Sequence, residues 1–191
     1  MSPLLLETIR IEDGQTVNIE WHNKRFHKTL KELFHKESKI NLQNLILAPK
    51  KRGLYRCRIL YNEEIQKIEY FPYQAKIVKQ LKIVYSQIDY SYKYANREEL
   101  NALLLPSYDD IIIEKNGFLT DTSIANIAFY DGCRWFTPQR PLLQGSMREK
   151  LLSEGFLTVK NIKKEQIKTF SHFALMNAMI GFQIQKNIII E

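Results

Sequence analysis

Residues 110–136 read DIIIEKNGFLTDTSIANIAFYDGCRWF, and this stretch decides the fold class. The run 110–114 is apolar and β-branched, Asn116-Gly117 follows, and 118–121 runs back. Asn-Gly between two such runs signals a tight hairpin, because both turn residues must take positive φ. The pattern recurs with 125–130, Asp131-Gly132 and 133–136. Beyond it, 146–153 reads as a short helix stopped by Gly155, and 157–161 as a strand. A helix near 165–169 and strands near 173–176 and 182–190 finish the chain. On the other side, Asn96 is placed to cap a helix to about Leu104. Leu100, Leu103 and Leu104 face inward there, and Pro106 ends it. Further back, 4–11 is a strand, Asp13-Gly14 a turn and 16–20 its hairpin partner. A helix from about His22 to Lys36 carries Phe26, Leu30, Leu33 and Phe34 as one stripe of a 3.6-residue period. Residues 40–47 and 54–61 look extended, 65–71 continues that sheet, and 75–83 fits helix or strand equally. The fold class is therefore α/β (α+β). A seam near 84–92 separates a smaller α/β domain, 1–88, from a larger one, 89–191.

The 191 residues, 45% of them hydrophobic and 26% charged, suffice for a sizeable core in one large or two small domains. No apolar run approaches the roughly 18 residues a membrane span needs. The start, MSPLLLETIRIEDG, lacks the basic beginning and long apolar centre of a signal peptide, so a cytoplasmic protein is expected. Net charge is +7, and the excess is local. Lys50, Lys51, Arg52, Arg56, Arg58, Lys67, Lys76, Lys79 and Lys82 face only Glu63, Glu64 and Glu69 across residues 50–82. Such a cluster suits a nucleic-acid surface, a site for a small anionic substrate, or a solvated face. Cys57 and Cys133 are too few for a disulfide framework and have no metal-ligand spacing. His22, His27, His35 and His172 fall mostly on one helix and read as structural. Phosphate-cradling glycine loops, a GxSxG elbow and an HExxH pair are absent.

Four segments, taken in order, do resemble a known family. They are ETIRIEDG (7–14) with WHNKRF (21–26), YKYANREEL (92–100), NGFLTDTSIANIAF (116–129) with WFTP (135–138), and LLQGSMREKLL (142–152) with LMNAM (175–179). Together they resemble the class IV aminotransferases, the fold-type IV pyridoxal-phosphate enzymes. That family includes branched-chain and D-amino-acid aminotransferases and aminodeoxychorismate lyase. The resemblance implies two α/β domains, residues 89–191 forming the larger, cofactor-binding one, and a homodimer that completes each site. It also implies an N-terminally shortened version, since the family's strands before the ETIR-like segment are missing.

The residue roles follow from the resemblance. Lys93 matches the family's Schiff-base lysine, an amine that must be neutral to attack an aldehyde, with Arg97 one turn on to lower its pKa. Asp121 stands where the family places a glutamate against the pyridine nitrogen, one methylene shorter. Arg25 matches the arginine that grips the cofactor phosphate, a task suited to a planar guanidinium. Gly145, Ser146 and Met147 match the stretch whose backbone N–H groups bind the same phosphate at a helix start. Asn177 and Ala178 resemble the lyase form of the last cofactor segment, where aminotransferases carry Gly-Thr. Thr8 aligns with a lyase threonine that assists proton transfer. Arg56 and Arg58, two residues apart and so facing alike, fall where relatives place a cation for the substrate carboxylate.

The implied activity is a lyase resembling aminodeoxychorismate lyase, releasing pyruvate and p-aminobenzoate, a step of folate biosynthesis. Its cofactor is pyridoxal phosphate, its substrate a small anionic amino-acid-like molecule, with no metal, nucleic acid or membrane involved. Two alternatives stand beside it. One is a class IV aminotransferase of branched-chain or D-amino acids. The other is a non-catalytic anion- or nucleic-acid-binding module on this scaffold.

Overall fold

The computed structural model describes residues 2–49 and 51–191. Lys50, counted in the basic cluster, lies outside the described residues. The chain divides into two compact units, Met1–Ala75 with Tyr92–Asn96, and Lys76–Ser91 with Arg97–Glu191. Both are mixed sheet-and-helix structures, and among the described residues no helix is long and apolar enough to cross a membrane.

The first unit holds β1 (Leu5–Glu12), β2 (Gln15–Thr16), α1 (Ile19–Phe34), β3 (Leu54–Tyr61) and β4 (Ile65–Pro72). Its sheet runs β2-β1-β3-β4 with every neighbour antiparallel. Strand alternation sends Leu5, Ile9 and Ile11 into the core, where they meet Phe26 and Leu30 of α1 and Cys57, Ile59 and Tyr61 of β3. Asp13 and Gly14, at φ 48° and 85°, make the expected hairpin turn. The return strand is only two residues long, because Asn18 turns left-handed at φ 55° and α1 starts at Ile19. The buried stripe of α1 therefore begins one turn early, at His22. The expected extended run at 40–47 contains a 3-10 turn at Leu42–Leu45 instead. The Asn41 side chain accepts from Gln43 N at 3.0 Å and closes the chain locally.

The second unit holds β5 (Gln80–Tyr85), α2 (Glu98–Asn101), β6 (Asp110–Lys115), β7 (Phe118–Thr122), β8 (Asn126–Tyr130), β9 (Trp135–Pro138), α3 (Ser146–Ser153), β10 (Leu157–Lys160), β11 (His172–Asn177), β12 (Gly181–Gln185) and β13 (Ile189–Ile190). The sheet runs β10-β9-β8-β7-β6-β5-β13, with β11 pairing β8 and β12. The Asn116-Gly117 turn has φ 53° and 79°, as a tight hairpin requires. Ile111, Ile112 and Ile113 are all fully buried, because β6 is covered on both faces. The second hairpin turns later than expected. Asp131 Oδ1 accepts from Cys133 N at 2.8 Å and Arg134 N at 2.9 Å, drawing both residues into the turn. The helix expected at 96–104 is reduced to the four residues of α2. Leu100 is buried but Leu104 is exposed, so one anchor supports one turn, and 3-10-like bonds close the rest.

Candidate functional site

In the first unit a carboxylate sits at an inward strand position. Glu7 follows the alternation of Leu5, Ile9 and Ile11 and is fully buried. A buried charge is tolerated only when paired, and Glu7 has two partners from one face of α1. Arg25 Nε donates to Glu7 Oε1 at 2.8 Å and Arg25 Nη2 to Oε2 at 2.6 Å, a bidentate fork. His22 Nδ1 lies 2.6 Å from the same Oε2. Burial by itself raises the Glu7 pKa, but the Arg25 charge and the bonds from Arg25 and His22 outweigh it and hold the value at about 2. Burial lowers the His22 pKa, more than Glu7 raises it, and Arg25 and Lys93 push the same way as burial. His22 is thus a neutral imidazole that must carry its proton on Nδ1, since an ionised carboxylate only accepts.

Lys93 belongs to this unit too, close enough for its charge to act on His22. Its backbone is fixed on both sides: Leu6 N donates to Lys93 O at 2.9 Å, and Ala95 N to Leu4 O at 2.8 Å. Tyr94 N bonds Tyr92 O at 2.9 Å, so Lys93 is the apex of a three-residue turn. Tyr92 and Tyr94 pack on the unit's core, which locks the half-buried lysine in place. Arg97, expected one turn on, bonds Ser123 O at 2.7 Å in the second unit.

The opposite face of the first sheet gathers the other residues. In the β1–β3 register Thr8 faces Arg58 and Arg10 faces Arg56, so all four side chains share one side. Arg58 also meets Glu69 at 3.3 Å. Arg56 lies over the Phe71 ring at 5.5 Å, and its Nε is buried with no hydrogen-bond partner. Tyr73, just past β4, stands where the charges of Arg56 and Arg10 reach its hydroxyl.

The second unit brings together Asp121, Gly145 and Ser146, with Met147 half-buried on α3. Asp121 is 4% exposed and faces Asn126 across the β7–β8 hairpin. Its Oδ1 accepts from Asn126 Nδ2 at 2.8 Å and its Oδ2 from Leu143 N at 2.9 Å. Burial pushes the Asp121 pKa up to about 6, against these bonds and the charge of Arg148. Arg148, itself buried, is held by Pro138 O at 2.8 Å. Asn177 Nδ2 donates to Ile124 O at 3.1 Å, and its Oδ1 takes Met179 N and Ile180 N. This ties the turn carrying Asn177 and half-buried Ala178 to the loop just after Asp121.

The raised Asp121 pKa has a consequence for stability. The folded chain keeps a proton that the unfolded chain, at the ordinary value of 3.8, has released. Stability from this group therefore falls as pH rises from about 4 to about 6 and is flat above. Asp121→Asn is expected to remove that fall, seen in thermal melts without cofactor at several pH values. Parallel curves for both proteins would show that Asp121 does not titrate there.

Glu7, Arg10, Tyr73 and Asn126 are missing from the site read in the sequence. For Glu7 a signal existed: a charge at an inward position of an alternating strand demands a partner. For Tyr73 no local signal exists, because Arg56 and Arg10 are remote in sequence; Asn126 has Asp121 five residues away, but its bond to Leu143 O appears only in the fold.

Residues 91–188 match the family model described as amino-transferase class IV. An uncharacterized protein of Haemophilus influenzae is 42% identical over 184 residues, which span 93% of this chain and 98% of that protein. A crystal structure of a "putative 4-amino-4-deoxychorismate lyase" from Haemophilus somnus superposes with a TM-score of 0.86 at 37% identity, covering 95% of this chain and 98% of that one. The pyridoxal-phosphate-bound form of a "hypothetical aminotransferase" from Mycobacterium tuberculosis shares the fold, with a TM-score of 0.78 at 13% identity over 99% of this chain and 81% of that one.

Proposed function

The chain belongs to the class IV aminotransferase family, whose members depend on pyridoxal phosphate, and from that premise we propose that it is a lyase. Its substrate would be 4-amino-4-deoxychorismate, split into pyruvate and p-aminobenzoate. The observation that carries this reading is the outer face of the first sheet, where a hydroxyl, Thr8, lies among Arg10, Arg56 and Arg58. Three guanidinium groups suit a substrate with two carboxylates. The likeness to the Haemophilus somnus protein supports the same class.

The residues present fit pyridoxal phosphate. Lys93 is an amine fixed at a turn apex beside a neutral histidine. Gly145 leaves bare backbone before α3, whose first N–H groups favour phosphate. In the first unit Arg25 is the residue suited to the phosphate; in the second unit, Gly145, Ser146 and Met147 suit the phosphate, Asp121 the ring nitrogen, and Asn177 with Ala178 the remaining edge. When bound, the cofactor supplies an electron sink for the pair left on the substrate carbon. Lys93 Nζ takes the proton from the carbon bearing the amino group. Thr8 Oγ1 helps return a proton to the departing three-carbon fragment. Arg56 and Arg58, with Arg10, orient the carboxylates.

Lyase and aminotransferase share the deprotonation and differ in where the proton returns. A lyase needs no second substrate. The protein with pyridoxal phosphate and aminodeoxychorismate alone is expected to release pyruvate and p-aminobenzoate in equal amounts. Thr8→Val is expected to slow release about 10²-fold or more while leaving cofactor affinity nearly unchanged. Amino-group transfer from common amino acids to a keto acid, with no p-aminobenzoate formed, would make the protein an aminotransferase.

A further inference from the structure

Gly145 is a glycine for an unusual reason. Its backbone, at φ −69° and ψ 141°, is one that any residue adopts, so conformation does not require it. Space does: a Cβ at this position would lie 2.1 Å from Asn126 Oδ1 and 3.2 Å from its Cγ. A flexible side-chain end would swing aside, but this one is held. Asn126 Nδ2 donates to both Asp121 Oδ1 and Leu143 O, each at 2.8 Å. Asn126 itself is 6% exposed on β8. The strand is fixed by its hairpin, in which Thr122 N meets Ala125 O at 2.9 Å and Thr122 Oγ1 takes Ala125 N at 3.0 Å.

We propose that Asn126 is a positioning residue. Together with Asp121 it holds the backbone of residues 142–145 in the one shape that presents the start of α3 to a phosphate group. The proposal rests on the cofactor reading above and adds a residue to it. The two amide hydrogens of Asn126 fasten the loop carbonyl at Leu143 to Asp121, and Asp121 Oδ2 fastens the Leu143 N–H in return. Leu143 is thus gripped by its N–H and its C=O, two residues before Gly145. The oxygen of the same amide fills the space where a side chain at 145 would stand. Asparagine alone meets these demands. Aspartate would set two carboxylates against each other and lose both donors, and glutamine is a methylene too long for the gap.

Asp121 keeps its bond from Leu143 N when Asn126 is shortened, so the loss should fall on the phosphate far more than on the rest of the cofactor. The test compares pyridoxal phosphate with pyridoxal, which lacks the phosphate, by absorbance titration of the intact protein. Asn126→Ala is expected to weaken pyridoxal phosphate about 10–100-fold and pyridoxal less than about twofold. Gly145→Ala, which keeps every bond partner but inserts a methyl against Asn126 Oδ1, is expected to give the same selective loss. In the double variant the second loss should largely disappear, because the atom it collides with is gone. On the unaltered protein, exchange of the Leu143 amide hydrogen is expected to slow with pyridoxal phosphate and not with pyridoxal. This measurement decides the matter if the variants do not fold. Equal losses for both ligands, or none, would overturn the proposal, as would indifference of the Leu143 amide. Wild-type protein that binds neither ligand would instead refute the cofactor reading itself.

Discussion

Glu7→Ala is expected to cost the protein about 3–5 kcal/mol of stability, the usual result of stripping one partner from a buried ion pair. The loss of a small side chain's contacts would not reach that figure. What remains is the Arg25 guanidinium, only 13% exposed, with its bidentate partner gone, and His22 with no acceptor for its Nδ1 proton. Urea unfolding of the two proteins at neutral pH measures the difference. A change below about 1 kcal/mol would mean that water or another group takes over. Removing both charges in Glu7→Gln with Arg25→Met should recover part of the loss. The pH dependence follows from the same pair. The Glu7 pKa falls from an ordinary 4.5 to about 2 on folding, so its contribution is complete above pH 4.5 and is lost as pH drops toward 2. This window lies below that of Asp121 and has the opposite slope, so the two groups can be read apart in one series.

Lys93→Ala is expected to abolish fixation of the cofactor by borohydride and to slow product release by about 10²–10⁴-fold. In the unaltered protein with pyridoxal phosphate, mass spectrometry after borohydride should find the cofactor on the peptide carrying Lys93. Lys93→Arg keeps a cation but replaces the amine with a guanidinium that neither condenses with an aldehyde nor accepts a proton near neutral pH, so it should be nearly as inactive while retaining the fold. Cofactor found on another lysine, or turnover little changed in Lys93→Ala, would displace the lysine from its proposed role. The fixed turn around Lys93 makes the prediction sharp. Its backbone bonds to Leu4 and Leu6 do not depend on the side chain, so the substitution should leave stability within about 1 kcal/mol.

Much of this was legible in the amino-acid sequence. The hairpin at 110–121, the strand at 54–61 and the helix at 146–153 follow from turn residues and local periodicity and stand where those signals put them, while the second hairpin is present with its turn shifted later. The order of YKYANREEL, NGFLTDTSIANIAF and LLQGSMREKLL pointed to the class IV aminotransferases, and the match over residues 91–188 agrees. These features are legible because they rest on neighbours along the chain: a positive φ, a stripe of apolar side chains, a motif.

Other features depend on residues far apart in sequence. The helix at 96–104 had leucines enough for three turns, yet only Leu100 found a core to enter, so four residues remained helical. Thr8, Arg10, Arg56 and Arg58 share a face only because β1 and β3 pair in one register, and a slip of a single residue would scatter them. Glu7 shows the division most clearly. By itself it is one acid in an ordinary strand. Tertiary structure brought Arg25 and His22 to both of its oxygens, and a carboxylate without water ionises only where such partners converge. Gly145 is the counterpart in the second unit. The sequence marked the glycine, but only the approach of Asn126 from the neighbouring hairpin explains why no larger side chain fits, since exclusion of a Cβ is a matter of space.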